Sequence, residues 1–205
     1  MTVNVKPTTW NDRWGQAEFA PFWLNDLIPE PVVHALETGV LNPGDRLLGI
    51  GCGAGHLAAH LAEQGLCVTA IDIAENAIAR ATTRFNRTDI RLTYKTADFC
   101  SATVDLEPTD AVVDCGCFHQ LRRSAKEQYI SNLARCLMPG GTFLLMHKLS
   151  SANLSDLISD DDLRSQIQSW FEADFDLNSQ TAMMFGHEEH QIPGLGFVLR
   201  RHRAS

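Results

Sequence analysis

Leu48-Gly49-Ile50-Gly51-Cys52-Gly53-Ala54-Gly55-His56 marks the point where an apolar run gives way to a helix, and its reading decides the fold. Arg46 to Ile50 is a short strand-like run, and Ala54 to Gln64 reads as a helix with Leu57 and Leu61 one turn apart and Gly65 as its stop. Glycines between a strand and a helix let the backbone turn tightly and let a ligand approach closely. The free N–H groups at the helix start attract an anionic group. Asp72 follows at the end of the next strand-like run, where a carboxylate can accept hydrogen bonds from both ribose hydroxyls. These features imply a nucleotide-like ligand. The dinucleotide fingerprint is G-x-G-x-x-G, whereas this chain has G-x-G-x-G. Its third glycine comes one residue early.

Working outward, strands and helices alternate. Cys67 to Ile71 is a β-branched run, Ala74 to Phe85 a helix with Ile78, Ala81 and Phe85 on one stripe, and Ile90 to Tyr94 an alternating strand. Asp110 to Val113 is the fourth strand. Ser124 and Glu127 form an S-x-x-E capping box that predicts a helix from there to about Leu137. The turn Met138-Pro139-Gly140-Gly141 then releases a strand over Thr142 to His147. Repeated β-α-β units with short turns predict a parallel sheet with helices on both faces. The rhythm then changes. Asp160 to Asp162 can cap a helix carrying Leu163, Ile167, Trp170 and Phe171, and the runs Phe175 to Phe185 and Gly196 to Arg201 have no helix between them. Two such strands are most simply antiparallel. The chain reads as a single domain, with residues 1–44 as an N-terminal helical, aromatic segment and 45–205 as the core. Trp10, Trp14, Trp23, Phe19 and Phe22 lie in that first segment, either as core or as a lid that excludes water from a reaction centre.

The 205 residues carry a formal net charge of -8, which argues against a phosphate backbone as the main partner. The basic cluster Arg200, Arg201, His202 and Arg203 reads as a solvated tail. No secretory signal is visible at Met1, and no apolar run approaches the ~20 residues that cross a bilayer. The six cysteines (52, 67, 100, 115, 117 and 136) contain no C-x-x-C pair and suit buried reduced thiols. A cytoplasmic location is expected.

At this point the sequence resembles the class I S-adenosylmethionine-dependent methyltransferases, over roughly Asp45 to Met146. The likeness rests on four motifs in order: Leu48 to Gly55, Ala70-Ile71-Asp72-Ile73, Ala97-Asp98-Phe99, and Leu137-Met138-Pro139-Gly140-Gly141. It implies a Rossmann-like, seven-stranded, mostly parallel sheet with the last strand antiparallel, and S-adenosyl-L-methionine as cofactor. It further implies that Asp72 holds the ribose, that Asp98 contacts the adenine amino group, and that Ile73 and Phe99 pack on the adenine. Trp14, Gly51, Cys52, Gly53 and Cys115 complete the expected cofactor-binding set. One departure is plain. Family members usually carry an acid where this chain has Gly49, and that acid helps orient the turn and the methionyl ammonium.

The methyl acceptor is expected just after the fourth strand, at Asp114-Cys115-Gly116-Cys117-Phe118-His119-Gln120-Leu121. His119 is the candidate catalytic base, because an imidazole titrates near neutrality; the alternative is a histidine that only hydrogen-bonds the loop. Cys115, Cys117 and His119 alternate as C-x-C-x-H and the pair His56 and His60 lies one helical turn apart, but no fourth ligand is evident and no metal is expected. His187-Glu188-Glu189-His190 has the wrong spacing for an H-E-x-x-H zinc site and belongs to the loop between the last two strands. Trp10-Asn11-Asp12-Arg13-Trp14, Pro21-Phe22-Trp23 and the Asp114 to His119 loop look more loosely like the thiopurine methyltransferase-like and related thiol or halide methyltransferases. A thiol, with an unperturbed pKa of about 8.5, needs little help to ionise. S-methylation of a small thiol is therefore the leading expectation, with O- or N-methylation of a small metabolite or a non-catalytic cofactor-binding protein as alternatives. A small-molecule acceptor, no nucleic acid, no membrane, and a monomer or homodimer complete the expected partners.

Overall fold

The computed structural model describes residues 9–149, 159–187 and 190–203. Seven strands form one sheet in the order β3-β2-β1-β4-β5-β7-β6. They are β1 (Arg46–Ile50), β2 (Cys67–Asp72), β3 (Leu92–Thr96), β4 (Thr109–Cys115), β5 (Leu137–Lys148), β6 (Phe175–His187) and β7 (His190–Arg201). The five strands β3, β2, β1, β4 and β5 are mutually parallel, and β7 runs antiparallel between β5 and β6. The expected Rossmann-like, mostly parallel sheet with an antiparallel last strand is the one observed. Its order reverses at β1, so the crevice beyond the C-terminal ends of β1 and β4 is the topological switch point where such sheets bind ligands.

The helices are α1 (Trp10–Trp14), α2 (Glu30–Glu37), α3 (His56–Glu63), α4 (Glu75–Arg84), α5 (Arg123–Cys136) and α6 (Asp160–Phe171). One face of the sheet buries Val32 and Ala35 of α2 and Ala58, Leu61 and Ala62 of α3 against Leu47, Val68, Val113 and Leu144. The other buries Tyr129, Leu133 and Cys136 of α5 and Leu163, Ile167 and Phe171 of α6 against Leu48, Ile50, Val112, Phe143 and Leu145. Alternation along each strand makes this division: Leu47 and Leu48 are neighbours in sequence and lie on opposite faces.

Several boundaries differ from expectation, each for a local reason. The Ser124–Glu127 capping box does not form, because α5 already starts at Arg123 with Arg122 as its N-cap and no side-chain cap. Ala125 and Lys126 both donate to the Arg122 carbonyl, so Ser124 lies inside the first turn. The third strand lies two residues later than its alternation suggested, its register set by pairing of Val68 with Leu92. The ladder of β5 begins at Leu137, and the Met138 to Gly141 turn loops out of register between the Thr109–Leu137 and Ala111–Thr142 pairs. Nor is the C-terminal basic cluster a free tail. Arg201 Nη1 donates to the Leu137 carbonyl, Arg200 Nη1 donates to the Gly140 carbonyl at 3.4 Å, and His202 Nε2 lies 3.4 Å from Asp176. The two arginines thus tie the C-terminus to carbonyls in and beside that looped turn.

The N-terminal segment divides in two. Its second half, α2, is an ordinary core helix. Its first half, α1, docks on α4: Asn11 Oδ1 accepts from Asn76 N at 2.9 Å, Asn76 Nδ2 donates to the Asn11 carbonyl at 3.0 Å, and Arg80 donates to the carbonyls of Phe19 and Gln16. Among the described residues no helix is long and apolar enough to cross a membrane.

Candidate active site at the switch point

The glycine turn has the backbone that its sequence demands. Gly51, Gly53 and Gly55 have φ of +65°, +53° and +86°, a region that side-chain-bearing residues rarely enter. Three partners hold it in shape. Cys52 N donates to the Ile71 carbonyl at 3.0 Å, Gly53 N donates to Asp72 Oδ2 at 2.9 Å, and Tyr94 donates its hydroxyl proton to the Gly55 carbonyl at 2.9 Å. Gly55 is the N-cap of α3 and supplies no side-chain cap, so the donors of the first turn stay open to a ligand.

Trp14 seats over this turn. It is 5% exposed, and a Cβ on Gly53 would stand 3.1 Å from its ring. Phe19 packs edge-on against it at 5.1 Å, and the Arg80 guanidinium lies 5.5 Å from its centroid. Trp14 is thus both the buried centre of a small aromatic cluster and a cover on the glycine turn. Asp72 is buried, and its other oxygen accepts from Ala74 N at 2.9 Å. Burial raises its pKa, against the backbone donors that lower it. Each carboxylate oxygen keeps a lone pair beyond its backbone bond, which suits a ribose hydroxyl. Ile73 beside it is 56% exposed, an apolar side chain left at the mouth. Asp98 is exposed, with Oδ1 accepting from Cys100 N at 2.8 Å. This set fits an adenosyl cofactor.

Phe99 does not occupy the expected place. Its ring is 5% exposed and packs 4.7 Å from Tyr129, inside the core, and its carbonyl accepts from Asn132 Nδ2 at 2.7 Å. An aromatic ring gains more from that enclosed packing than from an open mouth. Gly49 has room for a side chain: a Cβ there would meet only Ala70, at 3.7 Å.

The loop expected to hold the acceptor is built on Asp114, the last-but-one residue of β4. It is fully buried and accepts from Cys117 N at 2.7 Å, Phe118 N at 3.0 Å and the Tyr129 hydroxyl at 2.7 Å. Burial pushes its pKa up to about 6 despite those donors. The three bonds fold the chain after β4 into a turn at Gly116 (φ +92°) and a single 3-10 turn over Phe118–Gln120. Cys117 is thereby pressed onto Gly51, whose absent Cβ would lie 2.6 Å from its Cβ. The loop after β4 and the glycine turn are in contact.

His119 and His147 meet on this loop, ring centroids 5.1 Å apart, with Phe185 5.7 Å from His119. Burial first, and then the neighbouring His147, push His119 down to about 3; burial pushes His147 down to about 4, with Lys126 adding to the effect. His119 Nδ1 accepts from Lys148 N at 3.4 Å, so its proton is on Nε2. A buried neutral imidazole presenting N–H is a donor. The expectation of His119 as base is corrected on these grounds. The Lys126 ammonium lies 4.5 Å from the Phe118 ring and 5.7 Å from that of Trp170 on α6.

The remaining metal-type candidates are separated by the fold. Cys115 packs on the α2–α3 side and Cys117 on the α5–α6 side, because β4 ends at Cys115 and the Gly116 turn (φ +92°) redirects the chain between them. Burial pushes the Cys115 thiol up to about 12, and all six cysteines are free. His56 lies 3.3 Å from Asp26, and no group of three metal-ligating side chains gathers among the described residues. Glu188 and Glu189 of the last loop lie outside the described residues. Sequence reasoning missed Asp114, Tyr129 and His147. A lone acid inside Ala111-Val112-Val113-Asp114 and a histidine ending the strand Thr142 to His147 were the available signals.

Residues 47–141 match the family model described as a methyltransferase domain. An uncharacterised methyltransferase of Schizosaccharomyces pombe is 30% identical over 113 residues, which are 55% of this chain and 77% of that one. The structure solved in work on conversion of a disulfide bond into a thioacetal group during echinomycin biosynthesis superposes with a TM-score of 0.74 at 24% identity, covering 94% of this chain and 89% of that one. The N-methyltransferase NodS of Bradyrhizobium japonicum, with S-adenosyl-L-homocysteine bound, superposes at 0.66 and 18% identity, covering 84% of each chain. With the glycine turn, Asp72 and the 3-2-1-4-5-7-6 sheet already in place, the chain belongs to the class I S-adenosylmethionine-dependent methyltransferases.

Proposed function

We propose that this methyltransferase acts on a small molecule, and that the sulfur of a small thiol is its preferred acceptor. The cofactor, when bound, supplies an electrophilic methyl on a sulfonium sulfur. The chain's part is to bind and align: the Gly51–Gly55 turn and the open α3 terminus for the methionyl end, Asp72 for the ribose, Ile73 and Asp98 for the adenine, and Trp14 to exclude water above Gly53. What supports a thiol is the neutral, weakly basic character of the His119–His147 pair. A weak base cannot ionise an alcohol, whereas a thiol ionises near neutrality and asks little of its site.

The fold relatives divide on this point, since one was solved in work on sulfur chemistry and another is an N-methyltransferase. Amine acceptors, which attack through a lone pair, are therefore the second reading. A net charge of -8 supports a non-nucleic-acid acceptor. Six free cysteines support a reducing compartment such as the cytoplasm. The test is incubation with methyl-labelled S-adenosylmethionine and parallel panels of small thiols, phenols, amines, bulk RNA and protein. Label in the thiol fraction is expected; label in RNA or protein alone contradicts the reading.

A further inference from the structure

His119 and His147 hydrogen-bond to the backbone of the same residue, and the two bonds have opposite sense. An amide N–H only donates, so His119 Nδ1, 3.4 Å from Lys148 N, is the acceptor and its ring proton is on Nε2. A carbonyl only accepts, so His147 Nδ1, 2.8 Å from the Lys148 oxygen, is the donor and its Nε2 carries a lone pair. One residue thus imposes opposite tautomers on two imidazoles whose centroids are 5.1 Å apart. Neither Nε2 has a hydrogen-bond partner among the described residues. The Cε1–Nε2 edge of His119 lies along Gly116, where a Cβ would stand 3.3 Å from Cε1 and 3.7 Å from Nε2. Gly116 follows the β4 end that the Cys117–Gly51 contact joins to the cofactor turn.

Resting on the small-molecule reading above, we propose that His147 Nε2 takes the proton of the methyl acceptor, while His119 Nε2–H donates a hydrogen bond to the acceptor heteroatom. The pair then selects a protic group X–H that both gives and receives a hydrogen bond and ionises near neutrality: a thiol, and not a thioether. The X–H bond breaks toward His147, whose lone pair takes the proton to make an imidazolium. The bonding pair stays on X as the nucleophile, and the proton then passes to water. Burial and the nearby Lys126 ammonium keep His147 neutral beforehand, so its lone pair is available at neutral pH. In this scheme His119 is a positioning residue. Its own protonation plays no part.

Long-range 1H–15N NMR on protein labelled at histidine and saturated with S-adenosylhomocysteine tests this without turnover. Expected are an Nε2–H tautomer for His119 and an Nδ1–H tautomer for His147, assigned through His119→Gln and His147→Gln variants. Addition of 2-mercaptoethanol is expected to shift both Nε2 signals, whereas dimethyl sulfide leaves that of His147 unmoved. The same tautomer at both positions, or Nε2 signals indifferent to 2-mercaptoethanol, overturns the proposal. Because tautomers are read in the absence of methyl transfer, failure of the small-molecule labelling assay is a separate result and bears only on the function proposed above.

Discussion

The two halves of the crevice work by different means. At the ends of β1 and β2 the site is made of backbone: positive-φ glycines, an uncapped helix terminus, and a carboxylate that shapes the turn through Gly53 N and Ala74 N. At the ends of β4 and β5 it is made of buried side chains: Asp114 with three donors, and two imidazoles with imposed tautomers. Backbone shape is written in short sequence patterns, because few residues tolerate those dihedrals. Buried side-chain chemistry depends on partners far along the chain. Asp114 takes one of its three donors, Tyr129, from fifteen residues away, and His119 takes its tautomer from Lys148, twenty-nine residues on.

The comparison breaks most visibly at Asp114. Asp114→Ala strands three donors in the core, and a loss of about 4 kcal/mol of stability is expected from urea unfolding, since each unsatisfied buried group costs about 1–3 kcal/mol. A variant as stable as the parent would mean that the acceptor loop does not depend on this network.

Acid should reveal the histidines next. Their folded pKa values, about 3 and about 4, lie below the ordinary 6.5, so the unfolded chain takes up protons first. The stability they contribute is full above pH 6.5 and falls as pH drops toward 4, by up to about 2.7 kcal/mol per pH unit for two protons. Asp114 acts oppositely: its raised value, about 6, favours the folded state as pH falls from 6 to 4. Urea midpoints between pH 4 and 7 for the parent and for the His119→Gln/His147→Gln double variant check this. The variant should lose the acid-sensitive slope, and an unchanged slope would place the two rings in a solvated setting.

On the backbone side the effects are on affinity. Trp14→Ala uncovers Gly53 and is expected to weaken S-adenosylhomocysteine binding about tenfold in titration calorimetry, roughly 1.4 kcal/mol. Equal affinity would make Trp14 a packing residue only. The smallest effect is a gain. Gly49→Asp restores the usual acid at a position with space for it, and a few-fold tighter binding is expected, under about 1 kcal/mol. No gain would mean that this chain orients the methionyl ammonium by other means.

The contrast also explains what the sequence made legible. Gly51, Gly53, Gly55 and Asp72 were readable because the turn dictates residue type, and the antiparallel β6–β7 pair was readable because no helix intervenes. Phe99 was misread since its motif position says nothing about the Tyr129 ring that draws it inward. His119 was singled out from its intrinsic pKa, and the burial and the Lys148 bond that make it a donor come from a strand 29 residues away. The Ser124–Glu127 box failed because α5 starts at Arg123, which puts Ser124 inside the first turn.

Titration calorimetry of the purified chain with S-adenosylhomocysteine, set beside NAD, tests the central claim that the early third glycine and Asp72 build an adenosyl-sulfur site. One-to-one binding of S-adenosylhomocysteine, lost in Asp72→Ala and absent with NAD, is the result expected. Binding of NAD in preference, or no binding of S-adenosylhomocysteine, would contradict it.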